Sequence, residues 1–272
     1  MSKSLGNFIE IDLLQAYAKR YSLDAVRWYL ATQGPLGSND ADFAYSRFVE
    51  VYNADLANGI GNAVSRVGNM IGKYFDGKVP DPKGCASLDL LESASITKQV
   101  EDQIGEGKFA EALHRYDWPE LIGEHIGAFD AGSRASDLAE SVAPGLRLSD
   151  LVDGFIGHTR PFTIAKNLDG NEVFPGVPNG EALAAILYQC AEALRVSTLL
   201  PHPAMPEKMA EVWRNWNCDH LNDPGDSDSG FRAPLHELAA WGGRFSLKPG
   251  QQIEKGEALF MRADTKEDAP QA

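Results

Sequence analysis

Apolar side chains recur every three or four residues along a stretch that begins at Phe48 and ends at Phe75. An α-helix turns by about 100° per residue, so this spacing places them on one face. The positions are Phe48, Tyr52, Leu56, Ile60, Val64, Val67, Ile71 and Phe75. Asp76-Gly77, with Pro80 shortly after, is typical of a helix end. The pattern therefore predicts one long helix whose apolar stripe faces a core.

Shorter stretches with the same period predict further helices. We expect one helix over 13–21, with Asp12 as its N-cap, and a second from Leu23, with Ser22 as its N-cap. Further helices are expected over 148–158, over 181–200 and from Pro206 onward. A less regular helical pattern covers 88–104 and 108–116. Residues 119–149 have weak periodicity and many small or acidic residues, which predicts an insertion or a loosely packed connection. Residues 244–261 are expected to be a short extended segment. With almost no strand pattern, the fold class is mainly α, a helix bundle.

Charge and cysteine content restrict the class of protein. The 272 residues include 25 Lys and Arg against 39 Asp and Glu, a net charge of −14. Such a chain repels phosphate backbones at long range, so we expect no DNA partner, and any RNA contact must be local. The apolar run 182–187 is too short to span a bilayer, which argues against a membrane partner. Cys85, Cys190 and Cys218 are widely separated, which favours neither a zinc site nor disulfides and fits a reducing cytoplasm.

The chain opens with Met1-Ser2-Lys3-Ser4, in a segment rich in Ser, Gly and Asn. The motif is similar to the lysine-rich KMSKS signature loop of class I aminoacyl-tRNA synthetases, without its first lysine. The resemblance implies that a lysine ammonium and serine hydroxyls stabilise the negative charge that builds on pyrophosphate when the amino acid attacks the α-phosphate of ATP. Taken alone, a four-residue match is equally compatible with a solvated loop.

Further matches follow at the spacing of one member of that class. They are Asp24-Ala-Val-Arg-Trp-Tyr-Leu30, Gly37, Asp40-Ala-Asp-Phe43, Asn53-Ala-Asp-Leu-Ala-Asn-Gly-Ile-Gly-Asn62, Lys73-Tyr-Phe75, Val79-Pro80, Leu199-Leu-Pro-His-Pro203, Trp241-Gly242 and Leu259-Phe-Met-Arg262. The match is dense over 1–80, patchy over 160–262 and poor over 119–149. The chain thus resembles the C-terminal part of methionine–tRNA ligases, from the KMSKS loop through the anticodon-binding domain.

The resemblance implies a division into three parts. Residues 1–40 would form the KMSKS loop and a stem-contact segment, 41–242 an α-helical anticodon-binding domain, and 243–272 an extended segment and tail. It also implies ATP, with Mg²⁺, as a substrate, tRNA(Met) as the RNA partner and no metal site in this chain. Lys3 would be the catalytic residue, within an ATP-binding loop formed by Met1, Ser2, Lys3 and Ser4.

A polar ridge on the long helix is the candidate RNA contact. Asn62, Arg66, Asn69 and Lys73 lie opposite the apolar stripe at helical spacing. A solvated helix face would show the same pattern. The resemblance implies that Asn62 and Arg66 contact anticodon bases, whereas Asn69 and Lys73 rest on the helical spacing alone.

The chain departs from the family pattern at a second contact. The family carries Pro-Trp, and its tryptophan stacks on the anticodon; here the match is Pro161-Phe162. Phenylalanine keeps a stacking face but loses the indole N–H. Phe162 could instead be a core residue. Asp153 and Phe155 stand where the family usually has Asn and Tyr, so the anticodon is either read differently or read under a relaxed constraint.

Class I activation also needs a His-Ile-Gly-His type turn after a Rossmann strand. His125-Ile126-Gly127-Ala128 resembles it, but no strand pattern precedes it, and we interpret it as chance. We therefore expect the catalytic half upstream of Met1, as a candidate partner, and an inactive isolated chain. The alternative is a stand-alone tRNA-binding module that descended from the ligase and lost catalysis. A lysine codon directly before Met1, continuous with a nucleotide-binding sequence, would favour the ligase.

Overall fold

A computed structural model describes residues 11–34, 43–82, 116–173, 177–218 and 233–264. Within them the regular structure is mainly helical, and Lys78 and Gln252 form an isolated antiparallel bridge. The helices are α1 Ile11–Tyr21, α2 Leu23–Gln33, α3 Tyr45–Val51, a π-helical segment Tyr52–Ile60, α4 Gly61–Tyr74, α5 Trp118–Arg134, α6 Leu138–Thr159, α7 Pro161–Ile164, α8 Asn179–Ser197, α9 Pro206–Asn215 and α10 Leu235–Leu238. The predicted helix-bundle class is confirmed.

The sharp corner between α1 and α2 follows the cap that the sequence predicts. Ser22 has a φ of 93°, and its hydroxyl accepts a hydrogen bond from the amide of Ala25. This arrangement satisfies one of the amide groups that the first turn of a helix leaves without a carbonyl. Asp12 lies inside the first turn of α1 rather than before it. The Ser22 cap is confirmed, whereas α1 already includes Ile11, two residues before the predicted start at Leu13.

The long apolar stripe is present, but it runs through three segments rather than one regular α-helix. Its first seven positions are all buried, and Phe48, Leu56, Ile60, Val67 and Ile71 are fully so. Gly61 donates its amide to Leu56 O, a π-type bond, and the backbone at Gly59 is not helical (φ −84°, ψ −116°). Asp76 and Gly77 both have positive φ and end the helix, as predicted.

Residues 119–149 correct the expectation of a loosely packed connection. They form α5 and most of α6, two helices that pack against each other, with α6 also against α8, α2 and the π-helical segment. Val142 and Leu148 are fully buried. Each helix begins at an aspartate cap, Asp117 for α5 and Asp137 for α6. Small residues here allow close helix packing, so weak periodicity did not mean weak packing.

The remaining helices fall close to their predicted bounds. α8 begins at Asn179 and ends at Ser197, and α9 begins with Pro206 in its first turn. The four side chains expected to face inward from this last region, Met209, Val212, Trp213 and Trp216, are all buried. The patterns over 88–104 and 108–115 lie outside the described residues.

Two carboxylates, Asp24 of α2 and Asp55 of the π-helical segment, connect α2 to the rest of the bundle. Asp24 of α2 is buried and accepts the amide of Lys208 at 2.7 Å, which caps the start of α9. Burial raises the pKa of the Asp24 carboxyl above its ordinary value, although the Lys208 amide opposes this. Trp28 of α2 donates its indole N–H to Asp55 Oδ2 at 2.9 Å. α2 therefore has a fixed position on the bundle.

The segment after α10 returns across the bundle with few regular hydrogen bonds. It pairs with the end of α4 through the amide of Val79, which donates to Gln251 O, and the amide of Ile253, which donates to Gly77 O. The Asn53 side chain exchanges two hydrogen bonds with the backbone of Ala263, at 3.0 and 2.8 Å. The expected extended segment over 244–261 is thus irregular, with short turns and one bridge residue, and side chains of the bundle hold it.

A fully buried ion pair also holds this returning segment. Arg195 of α8 donates to both carboxylate oxygens of Glu192, at 2.8 and 2.9 Å, and to Leu238 O. Glu192 Oε2 in turn accepts the amide of Leu247 at 2.9 Å. Both side chains are 0% exposed. Across the described part of the chain, no helix has the length and apolarity needed to cross a membrane.

Candidate nucleic-acid interface

Arg66 lies on the outer side of α4, where it forms an ion pair with Asp153 of α6. The distance from Nη1 to Asp153 Oδ1 is 3.0 Å, and the two side chains are 36% and 34% exposed. Both charges of the pair also act on the buried thiol of Cys190. Burial raises the pKa of that thiol, with Arg66 opposing the rise and Asp153 adding to it. The pair therefore bridges two helices while its outer edge meets solvent.

The other ridge residues on α4 are exposed, as the helical spacing predicts. Asn62, one turn before Arg66, and Asn69 and Lys73, which follow it, all point to solvent. Lys73 approaches the ring of Tyr74, with Nζ 5.4 Å from the ring centroid. The ridge thus presents amide and cationic donors outward from a helix whose opposite face is buried.

Phe162 lies on the surface rather than in the core. It is 39% exposed and belongs to the short helix α7, which follows a left-handed residue, Arg160 (φ 48°, ψ 53°). The proline beside it, Pro161, is buried and provides the first residue of α7. The alternative interpretation of Phe162 as a core residue is therefore wrong. An exposed ring held by a buried proline is available to stack on a planar group.

Phe155, the other departure from the family pattern, belongs to the core. It is 2% exposed and makes edge contacts with Tyr116 and Trp118, with ring centroids 5.1 and 5.5 Å apart. Tyr116 also forms a 3.2 Å hydrogen bond with His158 Nδ1. The two departures thus differ in kind, since Asp153 changes the surface and Phe155 changes the packing beneath it.

The proposed ATP-binding residues Met1, Ser2, Lys3 and Ser4 lie outside the described residues. His125-Ile126-Gly127-Ala128, which resembles the second class I signature, lies in the middle of α5. His125 Nδ1 is 2.7 Å from Leu121 O of the same helix. The tetrapeptide is therefore helical, which agrees with its interpretation as chance.

Sequence reasoning singled out Arg66 and Asp153 separately but missed their contact. They are 87 residues apart. The sequence indicated Asp153 only as a departure from the family's usual asparagine. It gave no sign that α6 places this residue against Arg66 of α4. The carboxylate is nonetheless the closest charged partner of the central candidate arginine.

Comparison with known proteins finds similarity to one class of enzyme and, within it, to one family. Residues 1–68 match the family "tRNA synthetases class I (M)". The fold is similar to methionyl-tRNA synthetase of Mycobacterium tuberculosis bound by methionyl-adenylate, with a TM-score of 0.67 and 20% identity over 96% of this chain and 41% of that one. The first match concerns about the first quarter of the chain, and the second is a likeness of fold.

Two curated relatives narrow the class further. The methionine–tRNA ligase of Halalkalibacterium halodurans is 31% identical over 98% of this chain, and that of Thermotoga maritima is 30% identical over 98%. The chain spans about a third of the length of each, 33% and 34%. Over nearly its whole length, the chain is therefore similar to about a third of a methionine–tRNA ligase.

Proposed function

We propose that this chain supplies tRNA(Met) anticodon recognition to the ATP-dependent attachment of methionine to its tRNA. The observation that carries the proposal is the outward position of Arg66, on a ridge with Asn62 and beside α6. Arg66 and Asn62 offer guanidinium and amide donors to base edges, and Phe162 offers a stacking face. Splayed single-stranded bases are recognised by such edge contacts and by stacking.

The net charge of −14 requires that any RNA contact be local, and this arrangement is a local one. An acidic chain gains little from phosphate contacts, so its RNA affinity must come from bases at a defined place. An exposed arginine, asparagine and phenylalanine provide base contacts without a large basic surface. We therefore expect recognition that depends strongly on loop sequence and weakly on double-stranded RNA.

The KMSKS residues extend the proposal to catalysis in a complete ligase. Lys3 would stabilise the charge on the pyrophosphate leaving group, with Ser2 and Ser4 as hydrogen-bond donors. ATP with Mg²⁺ and methionine would be the other substrates, and a catalytic half would complete the site. A non-catalytic tRNA-binding module is the second candidate, favoured by the departures at Asp153 and Phe162.

Replacing Arg66 by Ala is expected to weaken binding of a methionine anticodon stem-loop about tenfold, or about 1.5 kcal/mol, because a base-edge contact is lost. Fluorescence anisotropy with a labelled stem-loop measures the change. Arg147→Ala is the matched control, because Arg147 is also exposed and paired, with Glu140 at 3.2 Å, but belongs to α6 and not to the ridge on α4. Equal affinities of wild type and Arg66→Ala, or equal losses in both variants, would remove Arg66 from the interface.

A polypeptide of these 272 residues is expected to show no ATP–pyrophosphate exchange with methionine. The tetrapeptide that resembles the second signature is helical, and its His125 is engaged with the backbone of its own helix. Exchange of labelled pyrophosphate into ATP measures this, with a complete methionine–tRNA ligase as the positive control. Exchange above background that disappears in Lys3→Ala would show that these residues carry an active site.

A further inference from the structure

We propose that the cavity between α2, the π-helical segment and the part of α6 from Ala139 to Asp150 binds a linear aliphatic polyamine, with the carboxylates of Asp55 and Asp150 as its main contacts. This inference is independent of the proposed RNA contact. The length of the cavity, the spacing of its charges and its open carboxylate oxygens together indicate this class of ligand.

The cavity follows one face of α6. Its volume is about 340 Å³, within the range of about 300–1,000 Å³ that small-molecule sites usually have. The α6 residues that line it recur at spacings of three and four, and the rise from the first to the last is about 16 Å, at about 1.5 Å per residue. They are Ala139, Glu140, Ala143, Leu146, Arg147 and Asp150. The cavity is therefore elongated, which suits an extended chain better than a compact ion.

Carboxylates outnumber cations in the lining of the cavity. Asp55, Glu140 and Asp150 stand against one arginine, Arg147, so the ionised lining has three negative charges and one positive charge, a net charge of −2. Arg147 is already paired with Glu140, at 3.2 Å. Asp55 accepts the indole N–H of Trp28 through Oδ2 alone. Among the described residues, Asp55 Oδ1 and both carboxylate oxygens of Asp150 have no hydrogen-bond partner, so they are open to a ligand.

The surroundings of these two open carboxylates disfavour their charge. Burial raises the pKa of the Asp55 carboxyl above its ordinary value, and the indole hydrogen bond and Arg47 oppose the rise. Burial also raises the pKa of the Asp150 carboxyl, and the charges of Asp153 and Asp55 add to that rise. A bound cation would offset this cost, because it supplies the positive charge that the walls of the cavity lack.

A polyamine matches this distribution of charge better than a metal ion does. A metal ion needs ligands that converge on one point, and the described residues contain no group of three or more His, Cys, Asp or Glu that could hold one. Glu140 and Asp150 are instead separated by about 15 Å along α6, and Asp55 lies on a different wall. A polyamine repeats N–H donors along an apolar chain, and each terminal ammonium group carries three of them. The carboxylates would accept from the ammonium groups, and Leu146 and the alanines of the lining would contact the methylene groups.

Isothermal titration calorimetry of spermidine into the full 272-residue chain tests the site at neutral pH. A salt concentration of about 0.1 M screens charges more than about 10 Å apart and so suppresses diffuse attraction to an acidic chain. Wild type is expected to bind one spermidine per chain in a saturable isotherm. Asp55→Asn is expected to weaken binding about tenfold, and the more exposed Asp150→Asn about fivefold, because each loses a charge-assisted hydrogen bond. Asp55→Asn keeps an acceptor for the Trp28 indole, and thermal melting of each variant checks the fold.

Arg147→Gln is expected to act in the opposite direction, with binding about threefold tighter, because it removes the competing cation and frees Glu140. Asp130→Asn is the matched control, since Asp130 is an exposed aspartate of α5 outside the lining, and its affinity should stay within about twofold of wild type. An isotherm that does not saturate, or equal weakening in Asp130→Asn and the two lining variants, would show diffuse charge attraction and overturn the site. Mg²⁺ at an equal concentration of charge should displace little spermidine, and complete displacement would overturn the polyamine as its ligand.

Discussion

Replacing Glu192 by Ala is expected to lower the free energy of unfolding by about 3–5 kcal/mol, because it leaves the buried charge of Arg195 without a counter-ion. Arg195 and Glu192 are both 0% exposed, and their two contacts are 2.8 and 2.9 Å long. The loss also removes the acceptor of the Leu247 amide, which has no access to water as a substitute. The segment after α10 should therefore loosen together with the pair.

Urea denaturation followed by circular dichroism measures this change. Glu50→Ala is the matched control, because Arg47 and Glu50 have the same three-residue spacing but are 49% and 66% exposed. Its expected cost is much smaller, because solvent screens an exposed pair. A double variant, Glu192→Leu with Arg195→Met, should be less destabilised than the sum of its single variants, because no lone charge remains. A cost of Glu192→Ala as small as that of Glu50→Ala would contradict this account.

Helix positions in this protein follow from local patterns, which explains why most of them were predictable. Ser22 has the residue type and position of a helix cap. Pro206 marks the start of one helix and Asp76-Gly77 the end of another, through their backbone preferences alone. The π-helical segment left a weaker signal. Steps of four residues from Phe48 to Val64 drift by about 40° each on a regular α-helix, and a wider turn absorbs part of that drift.

Contacts between helices were not predictable, because they depend on the relative placement of distant segments. The pair of Arg66 and Asp153 and the contact of Asp24 with Lys208, 184 residues away, are of this kind. The candidate site was therefore half predicted: resemblance indicated Asn62, Arg66 and Phe162, and only the fold placed a carboxylate against the arginine. The burial of the Glu192–Arg195 pair had no sequence signal either, since the same spacing on a surface helix looks identical.

The expectation of loose packing over residues 119–149 was wrong for a specific physical reason, which lies in its glycines. A glycine in a helix lowers helix propensity, so several of them suggest a weak element. Gly132 has another reason to be present. A Cβ atom there would lie 2.5 Å from Ser141 N, 2.7 Å from Glu140 C and 2.8 Å from Ser141 Cα, all of them backbone atoms of α6. The glycine permits α5 and α6 to approach closely, which requires the absence of a side chain.

Replacing Gly132 by Ala is accordingly expected to destabilise the fold by about 2–3 kcal/mol, because backbone atoms cannot move aside as a flexible side chain would. Gly127→Ala, earlier on the same helix, is the matched control, since a Cβ atom there meets nothing within 4 Å. The control should stabilise by about 0.5–1 kcal/mol through helix propensity. Thermal and urea unfolding of both variants measures the difference, and the opposite signs separate packing from propensity. If the two variants shifted stability in the same direction, the close approach of α5 and α6 at Gly132 would be refuted, and with it the integration of residues 119–149 into the bundle.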